Sequence, residues 1–401
     1  MQKPSILSSR EKYILLVYLL SLFLVVGIYL LLGVLRGGLP VLARSSGSVE
    51  VAVLVPLSGP QEALGKGVFE AVSRAVAAPP VAFPLGLQAT VIAYDTGGTP
   101  DGAASAALRA AKNPNTAVII GPLDARQVLA AVEVIQPYPV ALITPASTVS
   151  ALPVYNYPNF YRIPAPDALQ GQVIVDFLTY KLQVRDVFVI AEPAAFVPEI
   201  LDNFNNAAQV RLRVVGNLVL SDTGAIADIA GQIQSSQAQA VVFLGGATNC
   251  NMIVQSLNSA GLKLPLLGTD ALNTTTMLPL PENSITVYYT SSILNLAGLP
   301  NEISLEAYRQ ALGDAADSPF AYESKQAAWL TLAALAMKTA SQTPRQAVLE
   351  LLSNASVGGL GGQGYSLVAG QRFPMAIYVY QIDPGATDWK SNPVVYYTWL
   401  H

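Results

Sequence analysis

Ser58, Asp95, Asp124 and Glu192 are the residues of this chain whose types could do chemistry, and each stands at the end of a short apolar run. A hydroxyl or carboxylate in that position can act as nucleophile, base or acid. None of the four has a base or a second carboxylate at short range in the sequence, and acids at strand ends commonly cap helices, so catalysis ranks third among the function classes weighed here. The supply of other groups is thin. His401 is the single histidine and Cys250 the single cysteine, which leaves no soft-ligand cluster for a metal and no intramolecular disulfide. No GxxxxGK[ST] loop is present to hold a nucleotide. Neither enzymatic activity nor a cofactor is expected. With 401 residues, 52% hydrophobic and 12% charged, at a formal net charge of −4, the chain can bury a large core and has no basic excess for nucleic acid.

Residues 14–35, ILLVYLLSLFLVVGIYLLLGVL, carry no charge and span about 33 Å as a helix, enough to cross a bilayer. They read as a transmembrane signal anchor after a short cytoplasmic tail, 1–13, with the rest of the chain extracytoplasmic at the cell membrane. A cleaved signal peptide is the rival, with VLA at 41–43 as its cleavage site, but the apolar run exceeds the usual length. Residues 36–48 read as a Gly- and Ser-rich tether.

From Val49 onward, VEVAVLVPL, LQATVIAYD, TAVIIGP and PVALITP are strand-length runs, each followed by a helical spacing of apolar residues. A second series, VRDVFVIAEP, VRLRVVGNLVL, AQAVVFLGG and LPLLGTD, repeats the pattern, with helices expected at 197–208 and 252–260. Parallel strands buried on both faces need helices on both sides, so the expected fold is α/β: two doubly wound parallel-sheet lobes. Between the series lies YPNFYRIPAPDALQGQ, 157–172. Pro158, Pro164 and Pro166 force extended backbone before them, and Asp167 with Gln170 has capping-box spacing ahead of a helix at 173–182. A hinge strand and a plain interdomain connector fit this segment equally well.

YPNFYRIPAPDALQG closely resembles the hinge-crossing segment of the leucine/isoleucine/valine-binding family of type I periplasmic binding proteins, the substrate-binding components of ABC transporters. VAVLVPLSGPQEALGKG (51–67), AVIIGPLDARQVLA (117–130), VALITPASTVSAL (140–152) and the stretch 242–270 resemble further pieces of that family in the same order. The resemblance implies lobes joined by hinge strands, with Pro164, Pro166 and Asp167 at the first crossing. Lobe 1 would comprise about 49–165 and 295–362, and lobe 2 about 166–294 and 363–401. A third crossing would fall near GGLGGQGY, with PMAIYVYQI returning to lobe 2.

It also implies a ligand cleft where strand ends and helix N-termini face an anion. Carried over position by position, the family's carboxylate-binding serine falls on Ala125, which has no hydroxyl, with Arg126 beside it as a substitute partner. Ala146 offers backbone and Thr148 a hydroxyl and N–H, although Thr148 fits a plain helix cap as well. Ala247 stands where an aromatic residue is usual, Phe196 replaces a tyrosine, and Leu64 replaces an aromatic lid. Asp270 keeps the acid that receives an ammonium group, or caps its own turn. Tyr322 lines the cleft near the hinge, or packs with Trp329.

The implied function is binding without chemistry: hinge closure on an amino acid, amide or related small solute, read by a permease and an ATPase of an ABC transporter. The runner-up is a lobe pair that has lost its ligand and serves as a scaffold or regulator of an envelope complex.

Overall fold

The computed structural model describes residues 47–78, 87–150, 157–194, 196–220, 226, 228–277, 280–281, 283–294, 305–354, 356–358, 364–368, 371–373, 375–384 and 392–400. The tail 1–13, the apolar run 14–35 and residues 36–46 of the expected tether 36–48 lie outside them, while its last two residues, Gly47 and Ser48, begin the first strand. Among the described residues no helix is long and apolar enough to cross a membrane.

The first lobe is built on β1 (Gly47–Val55), whose residues Val51 to Val55 are wholly buried. It pairs in parallel with β2 (Leu87–Asp95) on one side and β3 (Thr116–Ile120) on the other, and β4 (Ala141–Thr144) and β5 (Phe160–Arg162) continue the sheet in the order β2-β1-β3-β4-β5. Side chains alternate between the two faces of a strand. Val51, Val53 and Val55 therefore join one core with Val118 and Ile120, while Ala52 and Leu54 join another with Ile119 and Leu142. Helix α1 (Glu62–Ala77) covers the first face with Val68 and Val72. Helices α2 (Pro100–Lys112) and α3 (Ala125–Ile135) cover the second, α2 through a stripe of five buried alanines. Thr99 starts α2 by accepting the Gly102 N–H, with Pro100 at the first helical position, where its missing N–H costs nothing.

The chain leaves β5 through Ile163–Pro166 and enters the second lobe. Here the capping box does not form: Pro166 is extended, Asp167–Leu169 make a single 3-10 turn, and α4 (Gln170–Asp176) starts without a side-chain cap before widening into a π turn at Phe177–Lys181. The reason is that the Gln170 amide is wholly buried and is engaged by Asp167, Asp270 and Thr290 rather than by the backbone N–H groups of its own helix start. The second sheet runs β15-β14-β10-β9-β8-β6-β7, with β6 (Asp186–Ala191), β7 (Arg213–Val219), β8 (Ala240–Leu244), β9 (Leu266–Gly268) and β10 (Val287–Ser291) parallel. β14 (Met375–Gln381) and β15 (Val394–Leu400) are antiparallel additions at one edge. Alternation again splits two layers: Val187, Val189 and Val242 face α4 and α5 (Val197–Ala208), while Phe188, Ile190 and Phe243 face α6 (Ile229–Ser236) and α7 (Ala247–Ser259).

After β10 the chain returns. Helices α8 (Leu305–Leu312), α9 (Ala321–Ala336) and α10 (Pro344–Asn354) follow, and α9 is buried nearly all round, the polar residues Glu323 to Gln326 of its first turns included. Its Ala327, Ala328 and Leu335 complete the first lobe's core. A three-stranded sheet, β11 (Ser356–Gly358), β12 (Gly364–Val368) and β13 (Gln371–Phe373), sits beside α10 and β5. Of the third crossing expected near 358–365, residues 359–363 lie outside the described residues.

Candidate interlobe site

Strand direction decides which edges of the two sheets meet. β5 runs parallel to β4 and passes straight into the second lobe, and β10 runs parallel to β9 and passes back, its exit fixed by the Leu294 N–H donating to Glu323 Oε1 at 3.0 Å. The carboxyl ends of both sheets therefore face the crossings. In each sheet the order of connections reverses, between β1 and β3 and between β6 and β8, and such switch points are where open α/β sheets seat ligands.

The lobe-1 loops are tightly built. Gly65 lets α1 close on the β1 loop, since a Cβ there would lie 1.8 Å from the Pro56 carbonyl oxygen. Asp95 Oδ1 accepts the N–H groups of Leu57 and Gly97, both at 2.8 Å, and Oδ2 accepts the Ser58 hydroxyl at 2.8 Å. The Leu57 and Gly97 bonds hold this carboxyl below its ordinary range. Asp124 caps α3: its Oδ1 accepts from Arg126 N at 3.0 Å and Gln127 N at 3.4 Å. Thr144 ties the next loop, donating to Pro122 O at 2.7 Å while its Oγ1 accepts from Ala146 N at 3.4 Å and Ser147 N at 3.2 Å.

On the lobe-2 side, Glu192 closes the switch point. Its Oε2 accepts the Gly246 N–H at 3.0 Å and its Oε1 the Asn249 side-chain N–H at 2.8 Å. A polar knot gathers around Gln170. Gln170 Nε2 donates to Asp167 Oδ1 and Asp270 Oδ1, each at 3.1 Å, and its Oε1 accepts from Thr290 at 2.7 Å and from Asp270 N at 3.3 Å. The knot also ties the lobes together: Asp167 N donates to Thr148 O at 2.8 Å, the Thr148 hydroxyl bonds the Asp167 carboxylate, and Ala168 N donates to Ser150 Oγ at 2.9 Å. Arg162, 1% exposed, donates to Val149 O at 2.8 Å and lends Asp167 a nearby positive charge. Burial first, then the charge of Asp167, pushes Asp270 up to about 7, and burial raises Asp167 likewise.

The expected site residues are distributed unevenly over this frame. Thr148, Asp167 and Asp270 meet in or beside the knot. Pro164 and Pro166 lie buried in the crossing that leads to it. Ala146, 6% exposed, has its N–H directed at Thr144. Ala125 opens α3, and Arg126 points to solvent with its side chain 85% exposed and Nε 3.7 Å from Asp124 Oδ1. Leu64 is half-buried on the first turn of α1. Phe196 is half-buried at the start of α5 and packs on the second lobe's core, and Ala247 is the buried first residue of α7. Tyr322 is 3% exposed and packs within 6.3 Å of the Tyr308 ring, whereas Trp329 lies 4.3 Å beneath the Lys325 ammonium. Gln170 and Thr290 were missed as site residues: one reads as a capping-box partner and the other as an ordinary strand residue. Among the described residues no group of three or more His, Cys, Asp or Glu is placed to hold a metal.

The chain belongs to the periplasmic binding protein family, whose model matches residues 48–387. A curated relative, Leu/Ile/Val-binding protein homolog 3 of Brucella melitensis, is 23% identical over 230 residues, which covers 57% of this chain and 62% of that relative, so less than two thirds of its length is matched. Among solved structures, a putative branched-chain amino acid ABC transporter from Rhodospirillum rubrum matches with a TM-score of 0.71 at 16% identity, over 87% of this chain and 100% of that one. The branched-chain amino acid transporter substrate binding protein LivJ from Streptococcus pneumoniae, in complex with isoleucine, matches with a TM-score of 0.63 at 18% identity, over 88% and 99%.

Proposed function

We propose that this protein is the solute-binding component of an ABC transporter, held at the cell membrane by residues 14–35 with its two lobes outside, and that it binds an amino acid or related small polar solute between them. The observation that carries the reading is the apposition of two carboxyl-end edges around the Thr148–Asp167–Gln170–Asp270 knot, with hinge strands on either side. A solute touching both edges favours the closed arrangement by its differential affinity, and the closed arrangement is what a permease and its ATPase read. Tethering keeps the binder close to that permease and raises its effective concentration. The relatives named for branched-chain amino acids support a ligand of that size.

The test is a thermal-shift screen of the full chain against amino acids, amides and amines. A ligand at a hundredfold excess over its dissociation constant adds about 2.7 kcal/mol of apparent stability. Asp270→Ala should abolish the shift from an amine-bearing hit. A screen in which no solute moves the transition would replace this reading with the scaffold one.

A further inference from the structure

Several of the backbone donors at the facing edges are already bonded to the chain's own side chains, although the first turn of α7 beyond Gly246 has no side-chain cap. In open α/β folds, N–H groups at strand ends and helix starts are where a ligand's anion is held. Here Leu57 and Gly97 N–H are taken by Asp95, Arg126 and Gln127 N–H by Asp124, and Gly246 N–H by Glu192. The Ala146 and Ser147 N–H groups turn inward to Thr144. The Asp270 N–H is turned to Gln170 Oε1 at 3.3 Å. The chain's own carboxylates thus occupy the switch points of both sheets.

The charge balance points the same way. Asp95, Asp124, Asp167, Glu192 and Asp270 stand at these edges, and the loops 56–61, 96–99, 121–124, 145–150 and 269–274 contain neither lysine nor arginine. Arg126 is turned to solvent beside Asp124, and Arg162 is buried against Val149 O and the charge of Asp167. Clefts lined by one sign of charge concentrate the opposite sign. Independently, hydrogen-bonding capacity is left over on both sides. Gln127 Oε1, Ser147 Oγ and Thr269 Oγ1 are buried, at 3%, 4% and 0% exposure of their residues, and have no protein partner. They belong to the first turn of α3, the loop after β4 and the residue before Asp270. Buried polar atoms without a protein partner call for one from outside, and an amide oxygen takes only a donor.

We propose that the interlobe site selects a cationic solute that carries no free carboxylate, an amine or amino-amide, with Asp124 and Glu192 as the residues that exclude a ligand's carboxylate. The inference rests on the solute-binding reading and narrows it to one chemical class.

Matched pairs that differ only in the carboxylate group test it: leucinamide against leucine, agmatine against arginine, and cadaverine against lysine, titrated calorimetrically into the full chain in detergent. The expected result is that in every pair that binds, the carboxylate-free member binds at least tenfold tighter. A pair in which the amino acid binds as well or better overturns the class while leaving solute binding intact. Silence from all six overturns both. Asp124→Asn keeps a side-chain oxygen to cap α3 and removes the charge, so it should narrow the preferred pair's ratio at least threefold; an unchanged ratio removes Asp124 from the selection.

Discussion

Asp167 and Asp270 share one donor: Gln170 Nε2 lies 3.1 Å from an oxygen of each. Two carboxylates around one amide, partly shielded from water, titrate as a pair and hold a proton above the usual carboxylate range. Arg162 opposes this rise and Glu199 adds to it at Asp167. The folded pair therefore binds its proton more tightly than the unfolded chain, whose aspartates release theirs near pH 4. The resulting stability is fully present below about pH 4 and is lost as pH rises through about 7. Melting temperatures of wild type minus Asp270→Asn, measured from pH 4 to pH 8, should fall across that window. Parallel profiles would mean that the pair does not titrate there.

Gln170 is the only side chain bonding both carboxylates among the described residues, and it also receives the Thr290 hydroxyl. Gln170→Leu fills the space but leaves these groups without their partner. Its cost is expected at about 1–3 kcal/mol, read from the denaturant midpoint. Gln170→Glu adds a third charge and should be more destabilising at pH 8 than at pH 5.

Gly65 is fixed by space rather than by backbone conformation. An added methyl would overlap the Pro56 carbonyl oxygen, a backbone atom that cannot swing aside. Gly65→Ala should cost about 1–3 kcal/mol through displacement of α1. Gly47→Ala, with nothing within 4 Å of the new methyl, is the control and should leave the melting temperature unchanged.

Lys325 is 3% exposed, and burial lowers its ammonium to about 8 although Trp329 offers its ring face. The unfolded side chain titrates near 10.4, so the charged form is disfavoured in the fold and stability rises as pH climbs from about 8 past that value. Lys325→Met should therefore raise the melting temperature at pH 6, with the gain shrinking by pH 10. A lower melting temperature at pH 6 would mean that the ring contact outweighs burial.

Much of the framework was readable in the residues. β-branched runs separated by amphipathic stretches gave both parallel sheets, and helix α5 begins and ends at the expected residues 197 and 208 because Pro198 and the apolar spacing mark it clearly. Asp95, Asp124 and Glu192 were visible as strand-end acids. Which N–H groups they capture was not, because Glu192 and Gly246 are separated by 54 residues and meet only when two strands pair. The same distance hides Gln170, whose partners lie 100 and 120 positions away. Local spacing suggested a capping box, and long-range bonding overrode it. The sheet β11–β13 escaped notice because Gly-rich sequence carries little alternation.

Late residues finish an early core. Ala327, Ala328, Leu330, Leu335, Val348, Leu351 and Leu352 pack against Val53, Val118 and Ile143, so one side of the first sheet is closed by chain made about two hundred residues afterwards. A nascent polypeptide halted at residue 294 would have that side covered only by α1. The first lobe's core is therefore expected to be complete only after the second lobe has been translated.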